Sequence, residues 1–198
     1  MTKKIIFILI FSLLTGFSNG QTMLEKVQKK FYSIKDFTAD FVQKSDGALN
    51  LSGKIKFKQK DKIRIEVGNI LIVSDGKTNW NYNKKTNKII ISTIEEETPS
   101  IFSINQLINN IPSKGMVSER KDSNYNIIKV EFNDSSGINL DFAELYFNNS
   151  YKIKKILLKG DSFGILEIYL TNYKENVELK NSIFELTPSK GTEIIDLR

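Results

Sequence analysis

The stretch ILIVSDGKTNWNYN, residues 70–83, decides the reading of this chain. An apolar run, Ile70 to Val73, meets Ser74-Asp75-Gly76-Lys77, and a second run carries Trp80 and Tyr82. Asp-Gly between two strand-like runs predicts a β-hairpin, because a tight type I′ turn needs positive φ at both central residues. With Asp75-Gly76 as the loop, Val73 faces Thr78 and Leu71 faces Trp80. Side-chain alternation then gathers Leu71, Val73, Trp80 and Tyr82 on one face and Asn79, Asn81 and Asn83 on the other. A large aromatic face thus stands beside a polar one, with no catalytic chemistry in view.

The same alternation extends on either side of the hairpin. Strands are expected over residues 37–43, 49–59, 62–67 and 88–93, separated by turn signals at Asp46-Gly47, Lys60-Asp61, Gly68-Asn69 and residues 84–87. Further strands are expected at 116–120, 126–133, 138–147, 152–159, 165–173 and 183–187. These are proportions of an antiparallel meander, not of alternating βαβ units. Two segments read as helices. Thr22 and Glu25 make a capping box ahead of Leu24, Val27, Phe31 and Ile34 at helical spacing. Thr98-Pro99 is an N-cap with proline at N1, followed by Ile101, Phe102, Ile104, Leu107, Ile108 and Ile111, with Pro112 ending the run. The fold expected is mainly β with α: a curved antiparallel sheet, or incomplete β-barrel, whose concave face the helices cover.

Residues 1–20 stand apart. Lys3-Lys4, an apolar core over 5–14 and the small residues Ser18-Asn19-Gly20 have the layout of a secretory signal peptide. The apolar core is too short for a membrane span, which takes about 20 residues. A single domain is expected over 21–198. The chain has no cysteine, so this leader is not a lipoprotein signal and no disulfide is available. A soluble protein, periplasmic in a Gram-negative source, is the expectation. The formal net charge is +6, and the lysines are scattered. Lys54, Lys56, Lys58 and Lys60 alternate with Ile55, Phe57 and Gln59, as on the solvated face of a strand, which favours an edge-strand reading over nucleic-acid binding.

The chemistry that composition removes is equally informative. There is no histidine, so Ser-His-Asp and Cys-His nucleophiles and most transition-metal sites are excluded. No Walker-type glycine loop is present. Gly160-Asp161-Ser162-Phe163-Gly164 matches the G-x-S-x-G nucleophile elbow, but the elbow needs a following helix and a histidine partner, and residues 165–170 read as a strand. A hairpin turn is the simpler reading. Glu95-Glu96-Glu97 reads as a solvated run before a helix N-terminus. The expectation is a protein that is not an enzyme and uses no cofactor or metal. The residues alone leave the apolar stripe of Ile63, Ile65 and Val67, with Phe57, Leu71, Trp80 and Tyr82, open to two readings: an ordinary core or a binding surface.

Four segments, in order, carry a family resemblance. The hairpin with Val-Ser-Asp-Gly-Lys-Thr and Trp-x-Tyr, residues 37–43 (FTADFVQ), residues 62–66 (KIRIE), and Phe184-Glu185-Leu186-Thr187-Pro188 with Gly191 together resemble the outer-membrane lipoprotein carrier proteins of the LolA family. The resemblance spans roughly residues 22–198. It implies a monomeric periplasmic chaperone that takes acylated lipoproteins from an inner-membrane ABC-type release complex and passes them to an outer-membrane acceptor. It implies that Phe57, Ile63, Ile65, Val67, Leu71, Trp80 and Tyr82 wall an acyl-chain cavity, and that Ile101, Phe102, Ile104, Leu107 and Ile108 form a lid. The family's Lys-Arg-Pro is here Lys58-Gln59-Lys60, so Gln59 is expected to supply the polar contact that closes the lid. A related lipid- or glycolipid-binding module and a lipoprotein-sensing module are the alternatives on the same scaffold.

Overall fold

The computed structural model describes residues 21–45, 50–93, 105–133, 136–162 and 164–198. Helix α1 spans Met23–Ser33 and begins as its sequence demands: the Thr22 side chain accepts from the Glu25 amide, and Glu25 reaches back to the Thr22 amide. The strands are β1 (Asp36–Ser45), β2 (Leu51–Lys58), β3 (Lys62–Val67), β4 (Ile70–Asp75), β5 (Thr78–Asn83), β6 (Lys88–Thr93), β7 (Met116–Lys121), β8 (Asn126–Glu131), β9 (Phe142–Phe147), β10 (Ile153–Gly160), β11 (Gly164–Glu175) and β12 (Glu193–Asp196).

They form one 12-stranded curved, open sheet in the order β12-β6-β5-β4-β3-β2-β1-β11-β10-β9-β8-β7. Every pairing is antiparallel except β12 against β6. Two meanders, β1 to β6 and β7 to β11, meet where β1 pairs β11. A register shift between Thr38 and Asp40, with Asn172 at φ 50°, makes a bulge in that seam.

Residues paired across strands share a face. Phe37, Phe57 and Ile63 lie in one row, Ala39, Ile55, Ile65 and Ile72 in the next, and Phe41, Gly53 and Val67 in a third. This is the inner face. On it α1 lays Val27 and Phe31, and the Phe31 ring meets Phe57 at 5.5 Å between centroids. The ends of α1 are tied to opposite parts of the sheet. Glu119 of β7 accepts from the amides of Met23 and Leu24, both at 2.9 Å, and Gln59, after β2, donates to the carbonyls of Tyr32 and Ile34 at 2.9 and 3.0 Å. The helix therefore crosses the inner face without covering all of it.

The outer face carries a second apolar layer. Leu71 and Val73 pair with Glu66 and Arg64, and with Tyr82 and Trp80. Residues 176–192 cross this face on the way to β12. The buried Asp36 carboxylate accepts from the amides of Val177 and Leu179, Lys58 binds the Leu179 carbonyl, and Arg64 binds the Ile183 carbonyl. Phe184, fully buried, closes the layer where the segment passes over β3 and β4. The strand expected at 183–187 is instead a short 3-10 turn, Asn181–Phe184, followed by extended chain. The terminal strand lies further on, at β12.

Two other expectations change. The 70–83 hairpin turns one residue later than predicted: Val73 faces Trp80 and Leu71 faces Tyr82. Gly76 takes φ 96°, and a Cβ there would lie 2.1 Å from the Lys60 carbonyl oxygen, so the turn docks on the β2–β3 connection only with glycine. The helix predicted from Thr98 is described from residue 105 on. There it is a π-helical turn, Gln106–Asn110, running into a 3-10 turn, Ile111–Lys114, so the helical run continues past Pro112, which was expected to end it.

Candidate functional site: an apolar cavity on the inner face

Beside α1 the inner face opens into a cavity of about 320 Å³. Strands β1 and β2 contribute Phe41, Gln43, Leu51 and Ile55; β3 and β4 contribute Ile65, Val67 and Ile72. Across the seam β10 supplies Ile153 and Ile156, and β11 supplies Ile168 and Leu170. All but Gln43 are hydrocarbon or aromatic. The volume is about twice that of a roughly 150 Å³ apolar cavity that stays dry and takes up benzene, and it falls in the range of small-molecule pockets.

The cavity exists because of local sequence choices. Leu51, Ile55 and Phe57 of β2 and Ile63, Ile65 and Val67 of β3 put apolar side chains on one face, while lysine, arginine and glutamate stand mostly on the other. Gly53, between Phe41 and Val67 in its row, adds no side chain. A Cβ there would lie 2.8 Å from the Phe41 ring and 2.3 Å from the Glu66 carbonyl oxygen. The Phe41 ring occupies the space that Gly53 leaves.

The residues singled out by sequence divide into groups. Ile65 and Val67 line the cavity. Ile63 is buried in the adjoining cluster with Ile65 and Ile72. Phe57 lies deeper, stacked on Phe37 at 5.2 Å, in the core under α1. Leu71, Trp80 and Tyr82 do not reach the cavity: they are on the outer face. Tyr82 is held there by its hydroxyl to Asn87, which also binds Thr192 and the Gly191 carbonyl of the crossing segment. The side of the hairpin that faces inward is the one bearing Ile72 and Asn81. Ile101, Phe102 and Ile104 lie outside the described residues. Leu107 and Ile108 are buried with Val27 and Phe31 in the core, not in the cavity wall. Gln59 holds the C-terminal end of α1, a different partner from the expected lid.

Residues that sequence reasoning missed are Phe41, Gln43, Leu51 and Ile72, and the whole contribution of β10 and β11. Alternation along β1 groups Phe41 with Gln43 and marks a face, but only the β1–β11 pairing brings Ile168 and Leu170 beside it.

The charged side chains that alternate with the cavity residues of β3 and β11 lie on the other side of the sheet. Glu167 is held below its ordinary pKa by the Lys155 ammonium and the Tyr169 hydroxyl, and Glu66 by the Arg64 guanidinium at 2.8 Å. Among the described residues no group of acidic side chains could hold a metal ion, and no helix is long and apolar enough to cross a membrane. The G-x-S-x-G segment bridges two strands, with Gly160 paired to Gly164, and β11 follows where an elbow would have a helix.

A curved, open, mainly β sheet holding an apolar cavity on one face defines the class of this protein. The chain belongs to the LolA family: the family described as "Outer membrane lipoprotein carrier protein LolA" matches residues 32–187. An outer-membrane lipoprotein carrier protein of Francisella tularensis subsp. novicida (strain U112) is 26% identical, the match covering 98% of this chain and 97% of the relative. One of the same description from Legionella pneumophila (strain Lens) is also 26% identical, over 89% of this chain and 91% of the relative. In fold, the chain is similar to the crystal structure of an uncharacterized conserved protein from Thermus thermophilus, with a TM-score of 0.61 and 13% identity over 87% of this chain and 96% of that one. The family and these relatives support a lipoprotein-carrier-like role.

Proposed function

We propose that this chain is a periplasmic, non-catalytic carrier of acylated lipoproteins, receiving them from an inner-membrane ABC-type release complex and delivering them to an outer-membrane acceptor. The observation that carries the reading is the inner-face cavity, whose described lining is apolar apart from Gln43, in a member of this family. Each CH₂ transferred to water costs about 0.8 kcal/mol, so an exposed long acyl chain costs on the order of 10 kcal/mol. A carrier lowers that barrier by offering a hydrocarbon wall on both sides of the crossing. In this reading Ile65 and Val67 contact the acyl chain, and the energy for loading comes from the release complex.

The test is depletion of the protein in its own cell, combined with recovery of the tagged chain from the periplasm. Acylated proteins co-purifying with it, and lipoproteins accumulating at the inner membrane on depletion, are the expected results. Intact lipoprotein sorting and no acylated cargo overturn the proposal. Mass spectrometry of organic extracts identifies a free lipid or glycolipid, should that be the cargo.

A further inference from the structure

The cavity has a direction. Along β1 to β4 burial deepens from the row of Gln43 and Leu51, through Phe41 and Val67, to Ile65 and Ile72. Leu51 is 43% exposed, whereas Ile65 is 5% exposed and Ile72 9%. The open end therefore lies at Gln43 and Leu51, the last paired residues of β1 and β2. At that end stands the one polar side chain among the described lining residues. Gln43 pairs with Leu51 on one side and Ile168 on the other, both of them lining residues. Gln43 is half-buried, and its side-chain amide makes no hydrogen bond with the described residues, so two N–H donors and a carbonyl stand at the rim of a hydrocarbon surface.

Apolar pockets commonly fix their ligands through a few such groups. An amphiphile whose tail enters toward Ile65 and Ile72 brings its first polar linkage to this rim. We infer that Gln43 is a specificity-determining residue, whose side-chain amide donates to the carbonyl of the ester or amide that joins the acyl chain to its head group. The inference rests on the proposed role of the cavity and adds the polarity of insertion: tail inward, acyl carbonyl at Gln43. It separates acyl ligands, which carry this carbonyl, from alkyl ligands of equal length, which do not.

The test measures displacement of an environment-sensitive hydrophobic dye from the full folded domain by two lipopeptides, one with ester-linked chains and one with ether-linked chains of the same length. The wild-type domain is expected to bind the ester form about three- to tenfold more tightly, as one neutral hydrogen bond provides. Gln43→Leu is expected to bind both forms alike, with the ether-form affinity unchanged. Gln43→Glu, similar in shape but without the N–H donors, is expected to lose the ester preference too, and thermal unfolding verifies that both variants are folded. Ester preference that survives in both variants overturns the role of Gln43 and leaves the cavity reading standing. Equal binding of the two forms by the wild-type domain likewise overturns the role of Gln43, and failure of both lipopeptides to displace the dye from it overturns the cavity reading as well.

Discussion

The Glu119 carboxylate accepts the backbone N–H of Met23 at 2.9 Å, across 96 residues of sequence, and its second oxygen takes the amide of Leu24. An edge-strand side chain thereby serves as an N-terminal anion for α1, satisfying two of the first-turn donors a helix leaves open. Glu119→Ala is expected to lower unfolding free energy by about 1–2 kcal/mol, read as a reduced urea midpoint. Gln59→Ala, which frees the Tyr32 and Ile34 carbonyls at the other end, is expected to cost about 1 kcal/mol. Because the two contacts hold one helix, hydrogen exchange is expected to show α1 amides losing protection in both variants while β9 and β10 keep theirs.

The two faces of the sheet make separable predictions. Val67 is half-buried on the cavity wall, whereas Leu71 is packed on the outer face. Val67→Glu is expected to reduce hydrophobic-dye affinity at least tenfold in a chain that still unfolds cooperatively. Leu71→Ala is expected to lose about 2–5 kcal/mol of stability while the folded fraction binds dye with unchanged affinity. Dye titration alongside urea unfolding reads both, and the opposite pattern would place the binding surface on the outer face.

Gly53→Ala tests how the cavity is formed. The new methyl carbon meets the Phe41 ring and the Glu66 carbonyl, so either the ring shifts into the cavity or β2 moves away from β3. The expected cost is about 1–3 kcal/mol, with weaker dye binding. Unchanged stability and binding would mean that the strands yield without cost.

The pH dependence follows from charge pairs on the outer face. Glu66 and Glu167 have folded pKa values below their ordinary 4.5, held down by Arg64 and Lys155. A lowered folded pKa favours the ionised native state, so this stabilisation is full above about pH 4.5 and is lost as pH falls through the lowered values. Both pairs are partly exposed, so the effect is modest and weakens with salt. With no histidine in the chain, stability is expected to stay flat between about pH 6 and 8. Urea midpoints from pH 3 to 8 at two salt concentrations check both parts.

Alternation correctly gathered Leu71, Val73, Trp80 and Tyr82 on one face, but not which face looked inward. Most half-exposed hairpins reveal this by their polar side. Here the outer side is also buried, because Phe184 and its segment cross it, and the inner side of β5 carries Asn79, Asn81 and Asn83. Local polarity therefore pointed the wrong way. The answer lay in pairing: Ile65 opposite Ile72, and Glu66 opposite Leu71. Ile65 and Val67 could be read because lysine, arginine and glutamate alternate with them. Gln43 could not, since a lone glutamine on a strand is unremarkable until the seam with β11 surrounds it with isoleucine and leucine. Gln59 stands out in the sequence only by its place in a motif, and its partners, Tyr32 and Ile34, lie at the C-terminal end of a helix that precedes it in the chain.

The sheet order also shapes how the chain reaches this structure. Within each meander the strands pair with their neighbours in sequence, most across connections of a few residues, although residues 132–141 separate β8 from β9; short hairpins of that kind form in about 1–10 μs. Joining the meanders means bringing β1 to β11, the first strand to the last long one, across nearly the whole domain. The entropy of that closure is spent before any contact at the seam repays it. Closure of this seam is therefore expected to limit folding, and the cavity, whose wall includes Phe41 on one side of the seam and Leu170 on the other, is complete only once the two strands have met.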